Sequence, residues 1–240
     1  MHRVLAQYFS TRKGRPLNAK DLDVAELSVL VHGLFAKEYG EDPAGEVYLL
    51  RKQINKHLKD VFLKYFVPLI RDETVTVLST EQDIRIKRGP FFLRGRIDSI
   101  IQRGDRTVIV DYKTGSNPNY LKINFDKLNI EDRDTWSDAI GSLQLPFYLM
   151  LYSEHTGKAI RGLNAMFLLL GRSLINREIE LPLFDENAGV EQYGLLKDLL
   201  LRLLAEITDP AVPFTSAPDR KEACPVCSYR YICGTQWVVK

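Results

Sequence analysis

Two carboxylates and a lysine between Arg94 and Gly115 are the residues of this chain best suited to chemistry. The segment reads Arg-Gly-Arg-Ile-Asp-Ser, a short polar stretch, then Val-Ile-Val-Asp-Tyr-Lys-Thr-Gly. Both halves have strand character, and Arg103-Gly104-Asp105-Arg106 between them is a hairpin signal. A two-residue turn at Gly104-Asp105 sets Arg103 opposite Arg106 and, counting outward, Asp98 opposite Asp111 and Arg96 opposite Lys113. Directly opposed residues have Cβ atoms about 4.5–5.5 Å apart, where like charges repel. Side chains alternate along a strand, so Asp98, Asp111 and Lys113 share one face. Ile97, Ser99, Ile101, Val108, Val110 and Tyr112 share the other, which is mostly apolar. Two acids in that position call for a cation between them. Hard oxygen donors suit Mg²⁺ or Mn²⁺, which bind through one or two carboxylates, waters and phosphate oxygens. Such an ion lowers the pKa of a bound water and neutralises charge on a phosphoryl group. A lysine two residues past the second acid can orient the attacking water or stabilise the transition state. The same residues read without chemistry are a salt-bridged surface strand pair, with Lys113 neutralising Asp111.

The elements that must hold these groups follow from periodicity. Asn18 or Asp21 can cap a helix running to about Tyr39, with Leu27, Val31, Leu34 and Phe35 as its apolar stripe. A second helix is predicted over 46–70. Residues 74–87 read as β structure, Gly89-Pro90 as a turn, and 91–102 and 107–113 as the hairpin strands. Residues 115–134 are polar and read as a long loop of functional kind. A helix over 142–154, strands over 162–170 and 175–181, and a leucine-rich helix over 191–207 complete the pattern. Gln144 and Tyr148 lie four apart, on one helical face. Ser142 can cap that helix, and Pro146 falls in its first turn, where a missing N–H costs little. This order argues for one mixed sheet covered by helices.

At 240 residues, with 45% hydrophobic and 27% charged residues, the chain is globular in composition. It contains no apolar run of membrane-spanning length. Met1-His2-Arg3 is followed by no secretory apolar stretch, so the expected location is cytoplasmic. The net charge of +2 is unevenly spread: from Ile84 to Lys122 there are nine basic and three acidic residues. That excess suits a polyanionic partner. Arg85, Lys87, Arg88, Arg94 and Arg96 are the candidates for phosphate contact. His57 and His155 are expected at the surface. Three cysteines, Cys224, Cys227 and Cys233, crowd the C-terminal end. Without an export signal they suggest a metal site rather than a disulfide framework. Fe–S clusters and structural zinc normally want a fourth ligand, which is absent from the chain.

Gly-Arg-Ile-Asp ending at Asp98 and Val-Asp-Tyr-Lys-Thr-Gly from Val110 to Gly115 resemble motifs of the PD-(D/E)XK nuclease superfamily, specifically its RecB/AddB-like branch. Val31-His32-Gly33-Leu34-Phe35 resembles that branch's N-terminal helix motif. Gln144-Leu145-Pro146-Phe147-Tyr148 resembles its Gln-x-x-x-Tyr motif, and Cys224-x-x-Cys227 with Cys233 resembles its C-terminal cluster cysteines. The matches run in order from residue 31 to residue 233. The resemblance implies a restriction-endonuclease-like α/β fold, a mixed central sheet flanked by helices. It implies a single nuclease domain over 1–240: a helical part over 1–72, a catalytic core over 73–208 and a cysteine tail over 209–240.

It also implies a metal held by Asp98, Asp111 and His32, with Lys113 assisting the nucleophile and Gln144 and Tyr148 beside the site. Glu81 loosely matches an acid on the family's first core strand. Cys224, Cys227 and Cys233 would hold a [4Fe–4S] cluster. In AddB-like relatives its first cysteine lies upstream of the histidine helix, ahead of an aromatic stretch like Tyr8-Phe9. The chain is therefore expected to be a nuclease domain excised from a longer protein. The implied function is a DNA exonuclease that processes double-strand breaks in recombinational repair as part of a helicase–nuclease. No Walker A sequence occurs, so any ATPase belongs to a helicase partner or segment elsewhere. The alternatives are a non-catalytic DNA-binding module with a cysteine-ligated cluster, or a stand-alone CRISPR-associated nuclease of the same superfamily.

Overall fold

A computed structural model describes residues 1–115, 117–184, 189–213 and 220–239. In chain order the helices before the sheet are α1 (His2–Ser10), α2 (Val24–Tyr39), α3 (Gly45–Val61) and α4 (Val67–Asp72). Strands β1 (Val75–Arg88), β2 (Phe91–Arg103) and β3 (Arg106–Lys113) follow, then α5 (Trp136–Ala139) and α6 (Gln144–Thr156). Strands β4 (Leu163–Leu169) and β5 (Glu180–Pro182) precede α7 (Gly189–Thr208) and α8 (Arg220–Ala223). The described residues form two compact units: Met1–Pro118 with Gln144–Val190, and Asn119–Leu143 with Glu191–Lys240.

The first unit is a five-stranded sheet in the order β1-β2-β3-β4-β5, flanked by helices. Only β3 and β4 are parallel, joined through α6; the other neighbours are antiparallel. This is the mixed α/β sheet expected of a restriction-endonuclease-like core. The β2–β3 hairpin has the register inferred from its turn: Arg103 pairs with Arg106, Ile101 with Val108 and Ser99 with Val110. The ladder stops there, one step before Asp98 and Asp111. The β1–β2 pairing instead continues to Arg88 and Phe91, so these two strands run on as an arm beyond the rest of the sheet.

Residues on both faces of the central strands are buried, among them Ile97, Ile100, Ile109 and Val110. Helix α6 packs on β1, β2, β3 and β4, while α1 packs on β1, β2 and α2. Gly95 lets α6 come close. A methyl group there would lie 2.5 Å from Leu151 Cδ1 and 3.1 Å from the Tyr148 ring. The helical layer is held by edge-to-face rings of Tyr8, Phe9, Phe62 and Phe66. The Tyr8 hydroxyl accepts from the Asp23 N–H at 2.8 Å, tying α1 to the start of α2.

Several elements differ from their sequence reading. Helix α1 was not anticipated, although Val4, Leu5, Tyr8 and Phe9 make a buried helical stripe. Asn18 caps a single 3₁₀ turn, reciprocated by Asp21, and Asp23 is the cap of α2. The predicted helix over 46–70 is α3 and α4 joined by a π turn at Phe62–Phe66, where the Val67 N–H reaches Phe62 O. Pro68 is the cause: it has no N–H, and its ring would clash with the Lys64 carbonyl in a regular helix. The strand expected over 175–181 shortens to β5, because Asn176 caps a 3₁₀ turn at Arg177–Ile179. His57 is half-buried rather than at the surface, with Nε2 against the Leu170 carbonyl. His155 is exposed.

In the second unit, the polar segment 119–135 is mostly loop, closed by a 3₁₀ turn at Arg133–Thr135. The Trp136 indole donates to Asn129 O at 2.9 Å, and Arg202 on α7 donates to Ile130 O at 2.7 Å. No helix among the described residues is long and apolar enough to cross a membrane.

Candidate active site

The site lies where the β2–β3 ladder ends. Lacking a ladder partner, Asp98 turns its carboxylate to the backbone of β3, where Oδ2 accepts from the Tyr112 N–H at 2.9 Å. This puts it beside Asp111, which is only 3% exposed. Burial holds the Asp111 carboxyl above its ordinary range and the Asp98 charge pushes it further up, while Lys113 opposes both. Asp111 Oδ1 accepts from Gln144 Nε2 at 2.8 Å. Its Oδ2 lies 2.8 Å from the Lys113 ammonium, yet it is buried with no aligned hydrogen-bond donor.

Gln144, the first residue of α6, joins the groups. Its Oε1 accepts from Lys113 Nζ at 2.6 Å, and its Nε2 also donates to the Tyr148 hydroxyl at 2.9 Å. An ammonium only donates and a carboxylate only accepts, so the two neighbours set the orientation of the amide. Lys113 also lies over the ring of Phe167, 5.0 Å from its centroid. Phe167 is the β4 residue paired with Asp111. Burial raises the Tyr148 hydroxyl pKa.

Glu81 completes the acidic edge from β1. Its neighbours Thr80 and Gln82 pair with Ser99 and Ile97, which sets Glu81 level with Asp98. Its φ of 51° is the one positive value among the described non-glycine residues. The left-handed region is costly for such a residue and persists where surrounding structure demands it. Its carboxylate holds Arg96 at 2.5 Å. On the far side, Gly171 crosses the end of β3 so closely that a Cβ would lie 2.0 Å from the Thr114 carbonyl oxygen.

The expected histidine is placed elsewhere. His32 is exposed, with Nδ1 3.1 Å from the Arg51 guanidinium. Among the described residues it joins no group of three or more His, Cys, Asp or Glu able to hold a metal. The imidazole facing Asp98 is that of His2, with Nδ1 at 3.7 Å from Oδ2 and a buried, unpartnered Nε2. The stripe of α1 was open to sequence reading, but nothing in the sequence places its first turn at Asp98. The phosphate candidates also divide: Arg88 pairs with Glu154 on α6, whereas Arg85, Lys87, Arg94 and Arg96 are exposed on the arm.

The cysteines do not assemble either. Cys224 is buried, Cys227 half-buried and Cys233 exposed, all as free thiols, and they join no group of three or more metal-ligating side chains among the described residues. The geometry thus gives no support to a [4Fe–4S] cluster. The carboxylate pair is different. A buried Asp111 oxygen that faces the Lys113 ammonium without an aligned hydrogen bond, and a second hard-oxygen donor on Asp98, fit a small divalent ion, which takes one or two carboxylates and fills its remaining positions with water and substrate oxygens.

No curated protein is significantly similar to this chain. Among solved structures, one described as "Crystal structure of SSO0001" is 14% identical over 87% of this chain and 96% of that one. Its TM-score of 0.25 is too low to carry an argument. The family model of the PD-(D/E)XK nuclease superfamily matches residues 1–234. That match spans the sheet, Asp98, Asp111 and Lys113 together, and the chain belongs to the PD-(D/E)XK nuclease superfamily.

Proposed function

We propose that this nuclease hydrolyses DNA phosphodiesters with Mg²⁺ or Mn²⁺, as an exonuclease that trims broken ends in recombinational repair beside a helicase. The observation that carries the reading is the cluster of Asp98, Asp111, Lys113 and Gln144 at the open end of the β2–β3 ladder. Asp98 and Asp111 are the residues that would hold the ion. When bound, it supplies charge neutralisation at the scissile phosphate and acidifies a water.

This chain's own groups do the rest. Lys113 sits 2.8 Å from Asp111, so its ammonium can orient the attacking water and stabilise charge on phosphoryl oxygens. Gln144 holds Lys113 and Asp111 in mutual register, and Tyr148 fixes Gln144 from the next turn of α6. The RecB/AddB-like motif order from His32 to Cys233 supports the end-processing role and the helicase partner.

The test is cleavage of end-labelled single-stranded DNA, duplex DNA and RNA with Mg²⁺, Mn²⁺ or chelator. Asp98→Asn, Asp111→Asn and Lys113→Ala should each lose at least about a hundredfold in rate. Equal activity in the parent and all three variants would remove the mechanism. Cleavage of RNA alone would remove the substrate assignment.

A further inference from the structure

The β1–β2 arm carries an ordered row of side chains that the cluster itself does not use. Its pairing sets Lys87 opposite Phe92, Arg85 opposite Arg94 and Asp83 opposite Arg96, and opposed residues share a face. The other face of the arm is spent on packing: Ile84 and Leu93 are buried, and Gly95 lies against α6. On the free face Phe92 is 81% exposed, and the Lys87 ammonium lies over its ring, 5.6 Å from the centroid. Arg85 and Arg94 both reach Asp83, at 3.2 and 2.8 Å. Arg96, two residues before Asp98, reaches Glu81. The row thus runs from an exposed aromatic at the tip, over four cations and one carboxylate, to the acidic edge of the site. Six residues of strand cover about 20 Å between Phe92 and Asp98.

We propose that this face of the arm binds single-stranded DNA and leads it to the carboxylates, with Phe92 stacking on a base and Arg85, Lys87, Arg94 and Arg96 contacting phosphates. The charge is complementary to a phosphate backbone. The exposed ring selects a single strand, because a duplex hides the faces of its bases within the stack. Asp83 gathers Arg85 and Arg94 on this face of the arm when no nucleic acid is present. The proposal rests on the nuclease reading for its direction of threading, though not for the binding itself.

The experiment is fluorescence anisotropy of a labelled dT20 and of a blunt 20-base-pair duplex. Both are titrated with the full chain carrying Asp111→Asn to prevent cleavage. Phe92→Ala should weaken dT20 binding about 5- to 100-fold, Phe92→Trp should restore it, and the blunt duplex should change less than twofold. Arg85→Ala and Arg94→Ala should each reduce the slope of log affinity against log salt by about 0.7. These side chains are exposed, and an unchanged thermal melt confirms that each variant folds. Unchanged dT20 binding by Phe92→Ala overturns the proposal, as does an equal loss on the blunt duplex. If the chain cuts no DNA but the arm variants still lose dT20, only the nuclease reading falls. If it cuts DNA and the arm variants bind as the parent does, only the arm proposal falls.

Discussion

Replacing Lys113 by methionine tests the electrostatic core of the site without touching either acid. The methionine keeps an unbranched stem over Phe167 and removes only the ammonium. Asp111, with its side chain 4% exposed, then loses its nearest cation while Asp98 still repels it. Removing one partner of a buried pair leaves an uncompensated charge, at a cost of roughly 3–5 kcal/mol. Lys113 is 26% exposed and water can partly replace it, so about 3 kcal/mol is expected at pH 8. For a chain of 240 residues that lowers Tm by about 6–12 °C. The pH dependence has a defined sign. The folded state holds the Asp111 proton to higher pH than the unfolded chain, so stability falls as pH rises from about 4 through the raised folded value. Without Lys113 that value rises further, and the deficit should close as pH falls toward 4. Asp111→Asn in the same chain removes the charge that lost its partner. The double variant should therefore recover at least about 2 kcal/mol of the loss. Urea melts of the parent, both single variants and the double at pH 8 and pH 5 measure the cycle. A cost for Lys113→Met below about 0.5 kcal/mol at pH 8, or no recovery in the double, would refute the reasoning.

Three further outcomes follow from the geometry. Gln144→Glu sets a carboxylate where an amide now donates to Asp111, and should lower nuclease rate about 10- to 100-fold with the sheet intact by circular dichroism. Gly171→Ala drives a methyl into the Thr114 carbonyl and should destabilise by more than about 3 kcal/mol. Gly95→Ala meets the movable end of Leu151 and should cost only about 1–3 kcal/mol, with chemical denaturation ranking the two. Glu73, held to a pKa of about 2 by Arg103 and Arg177, stabilises the fold above the ordinary carboxylate range and loses that contribution as pH falls from about 4.5 toward 2. Glu73→Gln should therefore cost about 2 kcal/mol at pH 7, about 1 kcal/mol at pH 3 and almost nothing near pH 1.

The local rules of the chain were enough for the hairpin. The turn at Gly104-Asp105 dictates the pairing from Arg103 and Arg106 inward, since register in a hairpin follows from its turn. The apolar stripes of α2 and α7 and the strands of the sheet follow from period and burial. The helical spacing of Gln144 and Tyr148 likewise predicted that they would share a face. What the sequence could not supply was where the ladder stops. Ladder geometry sets Asp98 opposite Asp111, but the pairing ends at Ser99 and Asp98 turns to the Tyr112 N–H. Nor could it supply the contact of Gln144 with both Lys113 and Asp111. Those residues are 31 and 33 positions apart, and only the packing of α6 on the sheet joins them. The histidine shows the same limit most clearly. His32 stands in the motif, yet α2 leaves it facing Arg51, while α1 carries His2 to Asp98. Periodicity reports which face of an element is buried. It does not report which end of that element meets which strand, because that is decided by long-range packing between segments far apart in the chain.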